Sequence, residues 1–292
     1  GDQSVALGAD TLAYGDSSVA IGGDDLDTAS TQQTTYTDPQ SGNQVTGSIR
    51  SAYEALTGDT SMQVGNYIKT VSKHGAVAVG VQAQASDLGA AFGAKSSALN
   101  TASTALGVGA VANKDNAVAL GAASITSTNA TGENSATVNG VTYGGFAGGN
   151  NIVAGDQVSV GNVGFERQIK HVAPGAVTAA STDAINGSQL YSVANELGKG
   201  FTIAANTDAT GVSAADKTVK PGNTLAVEGS GTGTFATDYS TDNIQTQVSS
   251  KGTIKVGLKN DLNVTSVTAT DSNGNQTRSE EHTSELQSLV II

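Results

Sequence analysis

A pentapeptide ending in glycine recurs along the first half of the chain. Ser4-Val5-Ala6-Leu7-Gly8, Ser18-Val19-Ala20-Ile21-Gly22, Ala76-Val77-Ala78-Val79-Gly80, Gly89-Ala90-Ala91-Phe92-Gly93, Ser103-Thr104-Ala105-Leu106-Gly107 and Ala117-Val118-Ala119-Leu120-Gly121 follow one template. The glycines fall 14 residues apart from 8 to 22, 93 to 107 and 107 to 121, and 13 apart from 80 to 93. So short a period predicts a β-solenoid, in which each coil buries its apolar side only by stacking on the next. Residues two apart share a strand face, so Val5 with Leu7, or Val118 with Leu120, make a bulky face and the alanine between them a small one. Small residues return three and five places after each glycine, as Ala83 and Ala85, Ser96 and Ala98, Ala110 and Ala112, or Ser124 and Thr126. They predict a second strand in every coil, packed on the first, with polar turns such as Asn113-Lys114-Asp115-Asn116 closing it. The bulky positions Val5, Leu7, Val19, Ile21, Val77, Val79, Phe92, Leu106, Val118 and Leu120 are taken as the core of the roll.

Two inserts interrupt this pattern. Residues 23–73 are rich in Thr, Gln and Asp and hold a helical pattern from Ser48 to Leu56, with Ile49, Ala52, Tyr53 and Leu56 on one face and Gly58 past its end; this insert is expected to project as a subdomain. Residues 122–156 contain Asn139-Gly140 between short β-prone runs, a hairpin signal.

Within His171 to Leu197 the periodicity changes from two to three and four. Pro174-Gly175 reads as a turn, and Ser181-Thr182-Asp183 offers helix N-caps. From Ile185 the apolar residues Leu190, Val193 or Ala194, and Leu197 recur at helical spacing until Gly198. About 14 helical residues are marginal alone in water, so the stripe must be buried, and the simplest partners are other copies of itself.

The stretch from Val158 to Leu197 resembles the neck of trimeric autotransporter adhesins of the YadA-like kind, and Ser181 to Tyr191 matches the run where that family's coiled coil begins. The glycine-terminated units resemble the repeats of YadA-like heads. The resemblance implies a mainly β fold: a trimeric left-handed parallel β-roll head over 1–157, a neck and short coiled coil over 158–199, and a second β-rich head over 200–277. That second head is similar to a Trp-ring module, with Phe201 the nearest aromatic, followed by the module containing Lys259 to Val267. Neck and trimerisation roles fall on His171, Thr182, Asp183, Ile185, Asn186, Leu190, Val193 and Leu197. The implied setting is the surface of a Gram-negative bacterium, the implied partner a host extracellular-matrix protein or cell-surface receptor, and membrane attachment only through a C-terminal anchor outside this stretch. Two other readings use the same repeats: a spacer whose adhesive tip lies elsewhere, and a phage tail-fibre-like solenoid. Arg278 to Ser288 carry a sudden excess of charge and resemble translated sequencing-adapter read-through, so 278–292 are set aside from the fold.

Composition agrees with a thin, repetitive molecule. The 292 residues include 37 Gly, no Cys, no Trp and 4% aromatics, too little bulk to offset chain entropy in a thick single-chain core at about 25 cal/mol per Å2. A net charge of −12 repels nucleic acid and anionic lipid. No run approaches 18 apolar residues and no leader opens the sequence, so it reads as an internal piece. Gly107-Val108-Gly109-Ala110-Val111-Ala112 mimics a dinucleotide-binding fingerprint but lacks the following helix, and reads as a roll turn. Asp24, Asp25 and Asp27, and the run Asp271 to Asn275, lack calcium-loop spacing. His74, His171 and His282 are too scattered for a metal site. With no Cys nucleophile and no stacked carboxylates in the repeats, neither an enzyme nor a cofactor is expected.

Overall fold

The computed structural model describes residues 1–203, 217–225, 243–248, 254–260, 266–270, 273–274 and 276–280. Two compact units divide the chain, Gly1–Lys199 and Gly200–Ile292.

The first unit is a flattened coil of two parallel sheets. Seven strands stack in register in one sheet, Val5–Leu7, Val19–Ile21, Val77–Val79, Ala90–Phe92, Thr104–Leu106, Val118–Leu120 and Val158–Ser159. Five stack in the other, Thr11–Ala13, Thr70–Ser72, Gln84–Ala85, Ser97–Ala98 and Val111–Ala112. Register runs alanine over alanine, Ala20 on Ala78, then Ala91, Ala105 and Ala119. These alanines are fully buried, and from Ala78 on they share one cluster with Ala83, Ala85, Ala98, Ala110 and Ala112 on the second side of the coils.

The core is therefore the reverse of the one expected. Val5, Leu7, Ile21, Phe92, Leu106 and Leu120 lie exposed on the outer side of the first sheet, and Val19, Val77, Val79 and Val118 are only partly covered. The fully buried side chains of the roll are small, none larger than threonine. Alternation fixes which residues share a face; it does not say which face turns inward, and the small one does.

The corners explain the rest of the repeat. Gly107 has φ +135°, and a Cβ there would lie 2.5 Å from the carbonyl carbon of Gly121 one coil on, so this position is both left-handed and too crowded for a side chain. The buried Ser18, Ser96 and Ser103 hydroxyls each donate back to a carbonyl three residues earlier. At another corner, side chains accept backbone N–H groups from neighbouring coils: Asp16 from Asp2, His74 from Asp16, Asp87 from His74 and Asp115 from Thr101.

The first insert leaves between a first-sheet strand and its second-sheet partner. It comprises helix α1 (Asp27–Thr31), the hairpin Gln33–Thr37 with Gln44–Ser48, and helix α2 (Ile49–Thr57). Ser48 caps α2 through Ser51 N, and Gly58 ends it at φ 70°. It does not project as expected: Tyr53 and Met62 pack on Ala123 beside Val108, folding the insert against the roll. The second insert forms the expected hairpin, Ser135–Val138 with Val141–Gly144, turning at Asn139 and Gly140, both at positive φ.

In the second unit the described strands pair antiparallel: Phe201–Ile203 with Lys217–Val219, Ile244–Val248 with Ile254–Leu258, and Ser266–Thr270 with Gln276–Glu280. The last pair takes in Arg278, Ser279 and Glu280. Residues 281–292, His282 among them, lie outside the described residues, as do 261–265 of the Lys259 to Val267 module.

Candidate functional site

Helix α3 (Gly187–Lys199) begins two residues later than the apolar pattern suggests, because Asn186 and Gln189 cap it reciprocally. Gln189 N donates to Asn186 Oδ1 at 3.2 Å, and Asn186 N donates to Gln189 Oε1 at 3.2 Å, a capping box with amides in both roles. The same side chains pin the preceding loop. Gln189 Nε2 donates to Gly175 O at 2.7 Å, its Oε1 accepts Gly175 N at 3.0 Å, and Asn186 Nδ2 donates to Val172 O at 3.1 Å. Ser181, Thr182 and Asp183 do not cap the helix as expected. Asp183 Oδ2 instead accepts Ala176 N at 2.9 Å, bracing the loop, and the Thr182 methyl lies against Gly148 of the second insert.

Of the other neck residues, His171 is exposed at φ 59°, and Ile185 precedes α3 with its side chain exposed. Leu190, Val193 and Leu197 lie three and four apart on α3, exposed by 66%, 58% and 63%, and α3 buries nothing in its own chain. Stripe and roll pose one problem: each presents an unsatisfied apolar row.

Sequence reasoning passed over Arg167. Its guanidinium donates to Ala122 O at 2.7 Å, Val160 O at 2.7 Å and Ser124 Oγ at 3.0 Å, closing the last coil where no further coil would satisfy those carbonyls. Gln189 and Arg167 were legible only as polar residues in a matching run; their hydrogen bonds depend on which backbone groups the fold leaves open.

The insert's grip on the roll is a second site. Tyr53 donates its hydroxyl to Asp59, and the hydroxyl rests on Gly109, where a Cβ would collide with it. That explains the fingerprint-like Gly107-Val108-Gly109: Gly109, at φ +66°, takes a corner position that other coils fill with Asp10, Gln82, Lys95 or Ala123. Burial first, then Asp59, push the Tyr53 phenol well above its ordinary range. Asp27 ties the insert's return, accepting Gly65 N at 2.7 Å and the Tyr67 hydroxyl at 2.9 Å. Its carboxylate is thus occupied by structural bonds. Among the described residues no group of three or more His, Asp or Glu side chains converges to hold a metal, and no helix is long and apolar enough to cross a membrane.

Comparison with known proteins agrees with this architecture. The YadA head domain repeat matches residues 1–24, 72–99 and 98–124, so the matches skip the first insert. The coiled stalk of trimeric autotransporter adhesins matches residues 168–213. These matches support a trimeric autotransporter adhesin. Among individual relatives, it is 33% identical over 135 residues to autotransporter adhesin BtaE of Brucella suis biovar 1, which covers 46% of the chain and 15% of that protein; the chain thus spans a small part of its relative's length. Of solved structures, a C-terminal YadA-like domain from Burkholderia pseudomallei is 33% identical, covering 57% of this chain and 66% of that one, with a TM-score of 0.29. The collagen-binding domain of the Yersinia adhesin YadA is 24% identical, covering 66% and 75%, with a TM-score of 0.34.

Proposed function

We propose that the chain is the exposed passenger part of a homotrimeric surface fibre, anchored in the outer membrane of a Gram-negative bacterium, that attaches the cell to host extracellular-matrix proteins or cell-surface receptors. In this reading residues 1–157 form a left-handed parallel β-roll head, 158–199 a neck leading into a coiled coil, and 200–277 a second, Trp-ring-like β head. One observation carries it: the column Leu7, Ile21, Val79, Phe92, Leu106 and Leu120 crosses six coils on the outside of a single chain. Burying each such side chain is worth roughly 1.5–3 kcal/mol, and a repeated surface is best covered by its own repeat in a symmetric assembly. Three columns meeting on one axis supply the thick core that each chain lacks, and the Leu190, Val193 and Leu197 stripe continues that axis through the neck. Adhesion then works by repetition, because identical surface units on three chains and many fibres add weak contacts through effective concentration. The test is solid-phase binding of the 1–199 fragment to collagen, fibronectin and laminin. Saturable binding that vanishes when the trimer is dissociated supports the reading, and no binding to matrix or to host cells sinks it.

A further inference from the structure

Where the first insert crosses the second sheet it leaves a cleft of about 420 Å3, between 58–68 on one side and the outward residues of the coils on the other. Gln84, Ser97 and Val111 form its floor, in register across three strands. Lys95 stands at the corner beside them and donates to Gln82 Oε1 at 3.2 Å, which leaves two of its three ammonium hydrogens free. It is missing from the ion pairs found among the described residues, Lys69 with Asp10, His74 with Asp16 and Lys199 with Glu196. The carboxylate beside it, Asp59, is already filled by the Tyr53 hydroxyl and by the backbone N–H and hydroxyl of Ser61. Burial lowers the ammonium's pKa, against the pull of Asp59. Asn162 faces the same space, and its Oδ1 already accepts Val163 N at 2.8 Å, so its amide hydrogens are the atoms left to give.

We infer that this cleft binds one terminal acidic sugar, a carboxylated monosaccharide of the sialic acid class at the end of a glycan, with its carboxylate on Lys95. A half-buried ammonium held by one amide oxygen, with two hydrogens left to give and the Asn162 amide across the cleft, suits an anion rich in acceptor oxygens. Ile68, Val111 and Ile125 supply an apolar wall for the ring's C–H face, and exposed Thr60 and Ser61 form a hydroxyl rim. The volume lies within the usual range of small-ligand sites, about 300–1,000 Å3. Two features select the class. The floor is a sheet face, so recognition falls to side chains, whereas an extended peptide gains most of its affinity from main-chain pairing along an open strand edge. The chain's charge of −12 repels a polyanion but leaves room for one carboxylate at a local cation.

This inference goes beyond matrix attachment, and its test separates the two. The full chain is titrated with 3′-sialyllactose, with lactose and with a glutamate-rich peptide, by saturation-transfer NMR and calorimetry. Binding of sialyllactose at millimolar concentration without lactose binding is expected, and Lys95→Met should weaken it about tenfold or more while matrix binding stays unchanged. Ser97→Phe, which fills the floor from outside the core, should abolish it with melting preserved. Absence of sialyllactose binding, equal binding by both variants, or Lys95-dependent capture of the peptide alone would each overturn the inference.

Discussion

Ala105 is fully buried between the two sheets, while the next residue, Leu106, keeps 45% of its surface exposed in the single chain. Opposite consequences of substitution follow. Ala105→Leu adds three carbons where both sheets are in contact and should cost roughly 1–3 kcal/mol or more, seen as a lower melting temperature. Leu106→Ala should leave the roll of each chain folded and weaken association, seen as mass lost on dilution. If Ala105→Leu melts normally and Leu106→Ala unfolds the roll, the assignment of faces is inverted. Both residues were legible in sequence as members of opposite faces; the inner face was not, because the distance between sheets is set by the whole stack. Tyr53 gives a prediction in pH. Its phenol is raised from 10.0, so the fold favours the protonated form, and that stabilisation is complete below about pH 10 and lost as pH climbs through the higher folded value. Tyr53→Phe should cost about 1 kcal/mol near neutrality, and the gap in melting temperature should narrow above about pH 10. A gap that stays constant to high pH counts against the Tyr53–Asp59 bond.

At the level of elements, the neck helix was visible as an apolar stripe, and its start was mislaid by two residues because three good cap residues stand upstream. Asn186 prevails over them since Gln189, three places on, completes the box, while Asp183 is engaged by Ala176. Gln189→Ala removes the box and both bonds to Gly175, and should cost about 1–2 kcal/mol. Faster amide exchange from 172 through the first turn of α3 is the expected signature; unchanged protection would show that the loop is held by other contacts. The first insert was legible as an interruption with a helix in it, but its docking was not, because Tyr53 and Met62 are far in sequence from Val108 and Ala123. Replacing 24–69 by a short Gly-Ser turn, which keeps the Thr70–Ser72 strand in its sheet, uncovers Val108 and Ala123, and so should lower melting by a few degrees. It should leave trimers and matrix binding intact. Loss of matrix binding with the trimer preserved would move that activity into the insert.

For the molecule as a whole, repetition set the fold class from sequence alone, and the scarcity of bulky residues pointed to a core shared between chains. The structure sharpens that point, since the bulky residues the chain does have are turned outward along one sheet and along α3. A monomer would leave both rows in water. Leu190→Asp tests the row in the neck, because three carboxylates brought together on one axis cannot all stay charged cheaply; it should loosen the assembly without unfolding the roll. The central claim, that this fold is completed only by two further copies of itself, is tested most directly by multi-angle light scattering of the full chain in solution. The expected mass is three times the 28.9 kDa of one chain, with Leu190→Asp shifting material to lower mass. A folded, monodisperse species at the mass of a single chain would contradict it.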